Sequence, residues 1–94
     1  MGAKLERLVE TALRGVLDPE LGRSVVDLGL IYHIAATPAG KVDIVMTTTI
    51  RGCPLTGFLK DAVAAAAAAV DGVAAVEVTL TYEPLWDPAM MAAD

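Results

Sequence analysis

The chain has 94 residues, 55% of them hydrophobic, 4% aromatic and 20% charged, which excludes intrinsic disorder and calls for a core of mainly aliphatic side chains. Seven Lys and Arg stand against twelve Asp and Glu, a formal net charge of -5, so binding by phosphate neutralisation is excluded and no nucleic-acid partner is expected. The length suits one domain and excludes a self-contained two-domain enzyme.

Leu5, Leu8, Val9, Ala12, Leu13, Val16 and Leu17 recur at helical spacing between Lys4, Glu6, Arg7, Glu10 and Arg14, which predicts an amphipathic helix from about Ala3 to Leu17. Asp18-Pro19 should stop it, because proline cannot continue the ladder and disfavours helical geometry in the residue before it. Leu28 to Ala36 suits a strand. Thr37-Pro38-Ala39-Gly40-Lys41 supplies turn chemistry for a return strand from Val42 to about Thr49, making a hairpin. In that second strand Val42, Ile44, Met46 and Thr48 share one face, and Asp43, Val45, Thr47 and Thr49 the other. Pro54 suits the first turn of a second helix through Leu55, Phe58, Leu59, Ala62, Val63, Ala66 and Val70, ended by Asp71-Gly72. The alanine run within it is read as helix that can sit close to a sheet. Val76, Val78, Leu80 and Tyr82 then alternate with Glu77, Thr79, Thr81 and Glu83 as a third strand.

The order α-β-β-α-β predicts a two-layer α/β (α+β) fold, a three-stranded mixed sheet with both helices on one face. Thr47, Thr79, Thr81, Glu77 and Glu83 are assigned to the other face, open to water or a partner. One domain over residues 1–83 is expected. The tail from Pro84 to Met91 is too proline-rich for a regular element, but its tryptophan and two methionines predict that residues 84–94 pack on the domain or on a partner.

The single cysteine, Cys53, rules out an intramolecular disulfide or a set of cysteine ligands within one chain. The N-terminus carries charges at once and does not read as a secretory signal, and the longest apolar run, Ala62 to Val70, is far short of the ~20 residues that span a bilayer. No membrane partner is expected, and the location is read as cytoplasmic, where a lone thiol stays reduced.

Cys53 carries the most chemical information. Pro54 places it at the N-terminal end of the second helix, where free N–H groups and the helix dipole favour thiolate, the form that attacks electrophiles and binds soft metals. An isolated cysteine can equally be a small buried apolar side chain. Residues 47–49, three threonines, bring hydroxyls beside the cysteine loop, or simply fill a strand with β-branched side chains. Arg51 could stabilise the thiolate. Asp18 and Glu20 set two carboxylates in one turn, able to act as hard metal ligands or proton acceptors, and a carboxylate at a helix C-terminus is not what stability alone would choose. Asp27 is expected to bond the backbone of its own turn. His33 has no companion for a zinc site and is read as non-catalytic. No nucleotide-binding, dithiol or hydrolase motif occurs.

Taken together, Asp18-Pro19-Glu20-Leu21, Val26-Asp27-Leu28-Gly29-Leu30-Ile31-Tyr32, Met46-Thr47-Thr48-Thr49 followed by Arg51-Gly52-Cys53-Pro54, and the closing Pro84-x-Trp86-x-Pro88-x-Met90 resemble a small iron–sulfur cluster assembly family. That family includes SufT, PaaD and domains fused to Mrp-type carrier ATPases. The resemblance implies a fold related to the C-terminal domain of NifU proteins and a role in maturing iron–sulfur proteins. It groups the Asp18 turn, the Thr47 and Thr49 strand end and Cys53 at one site, with Cys53 as reactive or ligand thiol, Asp18 as neighbouring carboxylate and Thr49 supporting the loop. Iron or an iron–sulfur cluster would be bound transiently, and the implied partners are assembly proteins and client apo-proteins. The extra cysteine-rich segment of PaaD proteins is missing. One cysteine supplies one of the four ligands a cluster normally takes, so stable binding would bridge two chains of a homodimer. The expected role is a non-enzymatic carrier or client-targeting factor. The alternatives are an adaptor binding through the Trp86 to Met91 tail and the open sheet face, an accessory factor for a multicomponent oxygenase, and a thiol enzyme with Cys53 as nucleophile.

Overall fold

The computed structural model describes residues 2–18, 22–48, 56–83 and 86–90. Val9 and Leu13, one turn apart, are fully buried on the inner stripe of helix α1 (Gly2–Leu13), with Leu5 half-buried beside them. In strand β2 (Lys41–Met46), Val42, Ile44 and Met46 are all fully buried while Asp43 and Val45 are half-exposed, as period two requires. Helix α2 (Thr56–Ala68) turns Leu59, Val63 and Ala67 inward at four-residue spacing, and its alanines let it lie close to its neighbours. Strand β1 (Ile31–Ala36) and strand β3 (Ala75–Leu80) complete the regular elements, so the order is α-β-β-α-β.

The sheet has the order β1-β2-β3. β1 and β2 form an antiparallel hairpin, and β3 pairs parallel to β2, so the sheet is mixed. α1 packs on β1, α2 on β3, and the helices on each other. The core lies between them and the face bearing Val42, Ile44, Met46 and Val78. Each large aliphatic side chain fully buried there contributes roughly 1.5–3 kcal/mol through the hydrophobic effect.

The structure corrects several boundaries. α1 ends at Leu13, not Leu17. Gly15 N–H bonds Ala12 C=O at 3.1 Å and Val16 N–H bonds Leu13 C=O at 3.0 Å, so the helix tightens and stops before the proline is reached. The chain then runs strand-like, with Val16 and Asp18 buried, Leu17 54% exposed, and Leu17 bridged to Ser24. Asp18 is therefore not at a helix C-terminus, and no helix dipole opposes its carboxylate. β1 starts at Ile31 instead of Leu28, because Leu28 and Leu30 belong to a buried turn in which Leu28 N–H bonds Ser24 C=O and Leu30 N–H bonds Val25 C=O. β2 ends at Met46 rather than Thr49. Thr47 does not belong to an open polar face: it is 0% exposed. Asp27 bonds Arg14 across the turn, Oδ1 to Nη1 at 3.0 Å, and the Ser24 hydroxyl takes the local backbone role by accepting from Val26 N–H.

Pro88–Met90 forms one turn of 3-10 helix, so the tail is less irregular than its prolines suggest. Trp86 Nε1–H donates to Leu28 C=O at 2.7 Å, and the indole packs against the core. Met90 lies over Gly29, whose φ is +74° and where an added Cβ would fall 2.3 Å from Met90 carbonyl oxygen. No helix among the described residues is long and apolar enough to cross a membrane.

Candidate functional site

Parallel strands end together. Met46 lies opposite Leu80 in β3 and opposite Ile31 in β1, so these three residues form the last row of the sheet at the end where β2 and β3 finish. The residues just beyond that row are Thr47 and Thr48 after β2, Thr81 and Tyr82 after β3, and Leu30 before β1. Thr81 N–H extends the ladder by one bond to Met46 C=O at 2.9 Å.

A relay of backbone bonds joins this end to the Asp18 turn. Thr47 N–H donates to Leu30 C=O at 2.8 Å, Leu30 N–H to Val25 C=O at 3.0 Å, and Val25 N–H to Val16 C=O at 2.9 Å. Two residues on, Asp18 N–H donates to Arg23 C=O at 2.9 Å, and Asp18 C=O accepts from Gly22 N–H at 2.7 Å. Asp18 is thus held by its backbone in a closed turn, with the residue only 5% exposed. Burying a carboxylate is costly unless it is hydrogen-bonded or paired, so its presence is not what packing alone would select.

The buried polar residues among those described are Asp18, Ser24, Thr47 and Thr48, and all four stand on this relay or next to it. Thr48 Oγ1 lies 3.0 Å from Tyr82 Oη, tying the end of β2 to the end of β3. Thr47 Oγ1–H donates to Thr48 C=O at 3.4 Å. The result is a hydroxyl-bearing buried floor with a carboxylate turn connected to it. Hydroxyls and a carboxylate can orient a hydrogen-bonding ligand, and the carboxylate can accept a proton or hold a hard cation.

Of the residues predicted for the site, the structure places Asp18 and Thr47 and links them through the relay. Glu20, Thr49, Arg51 and Cys53 lie outside the described residues. The chain leaves the sheet end at Thr48 and is described again from Thr56, the first residue of α2, with Cys53 between them. Two further polar residues at this place are not marked by any motif in the sequence. Ser24 gives a weak signal, a serine two residues before an apolar position that can cap a turn, and Tyr82 falls on the apolar set of the alternating third strand, although β3 ends at Leu80 and its hydroxyl meets Thr48. Among the described residues, no three of His, Cys, Asp and Glu are gathered so as to hold a metal ion.

The sequence profile of the family described as "iron–sulfur cluster assembly protein" matches residues 6–80, from α1 to the end of β3. The chain belongs to that family. It is 40% identical over 82 residues to an Fe-S protein maturation auxiliary factor of Porphyromonas gingivalis, covering 87% of this chain and 78% of that one. It is 42% identical over 78 residues to an iron-sulfur cluster carrier protein of Mycobacterium leprae, covering 83% of this chain but 20% of the carrier. The crystal structure of a domain of unknown function from Bacillus anthracis superposes with a TM-score of 0.93 at 33% identity, covering 97% of this chain and 87% of that one. The resemblance carried by the motifs therefore holds, and with it the mixed-sheet fold.

Proposed function

We propose that this assembly-family protein serves the maturation of iron–sulfur proteins as a carrier or client-targeting accessory factor, without itself catalysing a reaction. Cys53 is the thiol that holds iron or a cluster in passage, or docks its carrier. Asp18 is the neighbouring carboxylate, and Thr47 and Thr49, with Glu20 and Arg51, shape the surrounding loops. The observation that carries this reading is that the buried polar residues among those described stand at, or are joined by backbone bonds to, the sheet end from which the chain departs toward its only cysteine. Relatives named for iron–sulfur protein maturation and for cluster carriage support it. One thiol is one ligand of the four a cluster usually takes, so the remainder would come from a second copy, a carrier or the client, and the cargo is exchanged between chains.

The test is anaerobic reconstitution with ferrous iron and sulfide, with sedimentation of the product, alongside maturation of a client apo-protein. Wild type should acquire visible charge-transfer absorption with a shift toward a two-chain species, and Cys53→Ala should lose both together with client maturation. A Cys53→Ala protein that still supports maturation, combined with a wild type that takes up no iron, would sink the reading.

A further inference from the structure

The outer edge of β1 is an opening that the cluster-handling reading does not use. Thr37 N–H bonds Lys41 C=O at 2.9 Å, which makes Thr37 and Lys41 a hydrogen-bonded pair of the antiparallel hairpin. By alternation, Ala35 with Asp43 and His33 with Val45 also bond across the ladder, while Ala36 and Ile34 direct their N–H and C=O away from the sheet. The outward Ala36 N–H is taken by Glu6 Oε2 of α1 at 3.0 Å. At Ile34 the outward groups meet no such side chain among the described residues.

Ile34 instead lines a groove of about 640 Å³ between β1 and α1. Val26 and residues 31–34 of the β1 side line it, Tyr32 and His33 among them, together with Glu6, Arg7 and Glu10 of α1. Edge strands are usually blunted by charge or proline, yet Ile31–Ala36 holds no Lys, Arg, Asp, Glu or Pro. The opposite edge, β3, carries Glu77.

We infer that this groove takes up an extended, cationic segment of a partner protein as a fourth strand, paired to the Ile34 backbone. Two observations select that occupant. Adjacent strands lie about 4.8 Å apart, whereas packed helices need about 8–10 Å between axes. Because α1 already reaches past the edge through Glu6, a second copy pairing β1 to β1 would bring its own α1 into the same space. A bare extended segment brings no helix. In addition, the groove lining carries Glu6 and Glu10 against Arg7, with His33 beside them, on a chain of net charge -5; Glu6 is engaged by Ala36 N–H, and neither Glu10 nor Arg7 has an ion-pair partner among the described residues, so Glu10 is the carboxylate open to a cation. Apolar side chains at alternate positions of the segment would meet Ile31 and Ile34, with a lysine or arginine near Glu10.

The probe is a blocked hexapeptide alternating valine and lysine, titrated into the iron-free protein and followed by fluorescence anisotropy and by amide hydrogen exchange at Ile34. Binding should saturate and slow Ile34 exchange about tenfold, the scale of one backbone hydrogen bond. The same peptide N-methylated at alternate amides should bind about tenfold more weakly, and Glu10→Lys about fivefold more weakly. Ile34→Pro removes the outward N–H and leaves the bonds to β2 in place, with circular dichroism to check the fold. The inference is overturned by equal binding of the N-methylated peptide, by binding that leaves Ile34 exchange unchanged, by no saturable binding, or by a dimer in which the Ile34 amide is already protected. No iron enters the measurement, so its failure leaves the cluster-handling reading standing.

Discussion

The two ends of the sheet are built on opposite principles. At the hairpin end, the turn over residues 37–40 is closed by Gly40 N–H to Thr37 C=O at 2.9 Å, and Gly40 C=O accepts from Ala74 N–H at 2.8 Å just before β3. Gly40 is buried with φ +90°, and an added Cβ would stand 2.4 Å from the Gly72 carbonyl oxygen. Backbone meets backbone there, and glycine is the residue that fits. At the other end Asp18, Ser24, Thr47 and Thr48 are buried in non-helical chain, where aliphatic side chains would pack with less desolvation cost. One end is optimised for closure. The other retains polar groups that closure does not require, and it is the end from which the chain runs on to Cys53.

That contrast can be broken by experiment. Gly40→Ala combines left-handed backbone strain with a backbone clash and should cost about 3 kcal/mol in urea unfolding, the largest effect expected. Thiol alkylation of Cys53 in the molecules that remain folded should keep its wild-type rate. A changed rate would mean that the two ends are coupled. Thr48→Val removes the hydroxyl bonded to Tyr82 from a buried position with little change in shape, and should cost about 1 kcal/mol. If the polar end serves function, this variant should lower client maturation more than Gly40→Ala does, at equal folded protein. The reverse order would make the threonines mere scaffolding. Arg14→Ala removes the exposed ion pair with Asp27 and should shift stability by no more than about 0.5 kcal/mol, measured as the urea midpoint at two salt concentrations. A larger loss would show that the turn holding Asp27 braces the relay.

The fold was legible in residue pattern wherever one periodicity ran without competition. Val42, Ile44 and Met46 alternate and are buried, and Leu59, Val63 and Ala67 follow helical spacing and are buried. Reading failed where two patterns overlapped. Val16 and Leu17 fit the helical stripe of α1, yet Gly15 lets the helix tighten and end, after which the strand-like run sends Leu17 outward and Asp18 in. Thr47 was assigned to the open face by strict alternation, which stops applying once the strand ends at Met46. Of the candidate site residues, Asp18 and Thr47 lie among those described, and the link between them was not legible, since the relay through Leu30, Val25 and Val16 uses backbone groups that every residue carries.

By itself, the sequence determined the element order, the aliphatic core, the family and the identity of the one thiol, because local propensity, side-chain period and motif spacing are written residue by residue. Tertiary structure decided that β3 runs parallel to β2, that Asp18 and Thr47 are both buried and joined through a backbone relay, that Trp86 is held by the Leu28 carbonyl, and that the Ile34 edge opens beside α1. Those features depend on which backbone groups meet across the fold, and backbone donors and acceptors are the same at nearly every position of the chain.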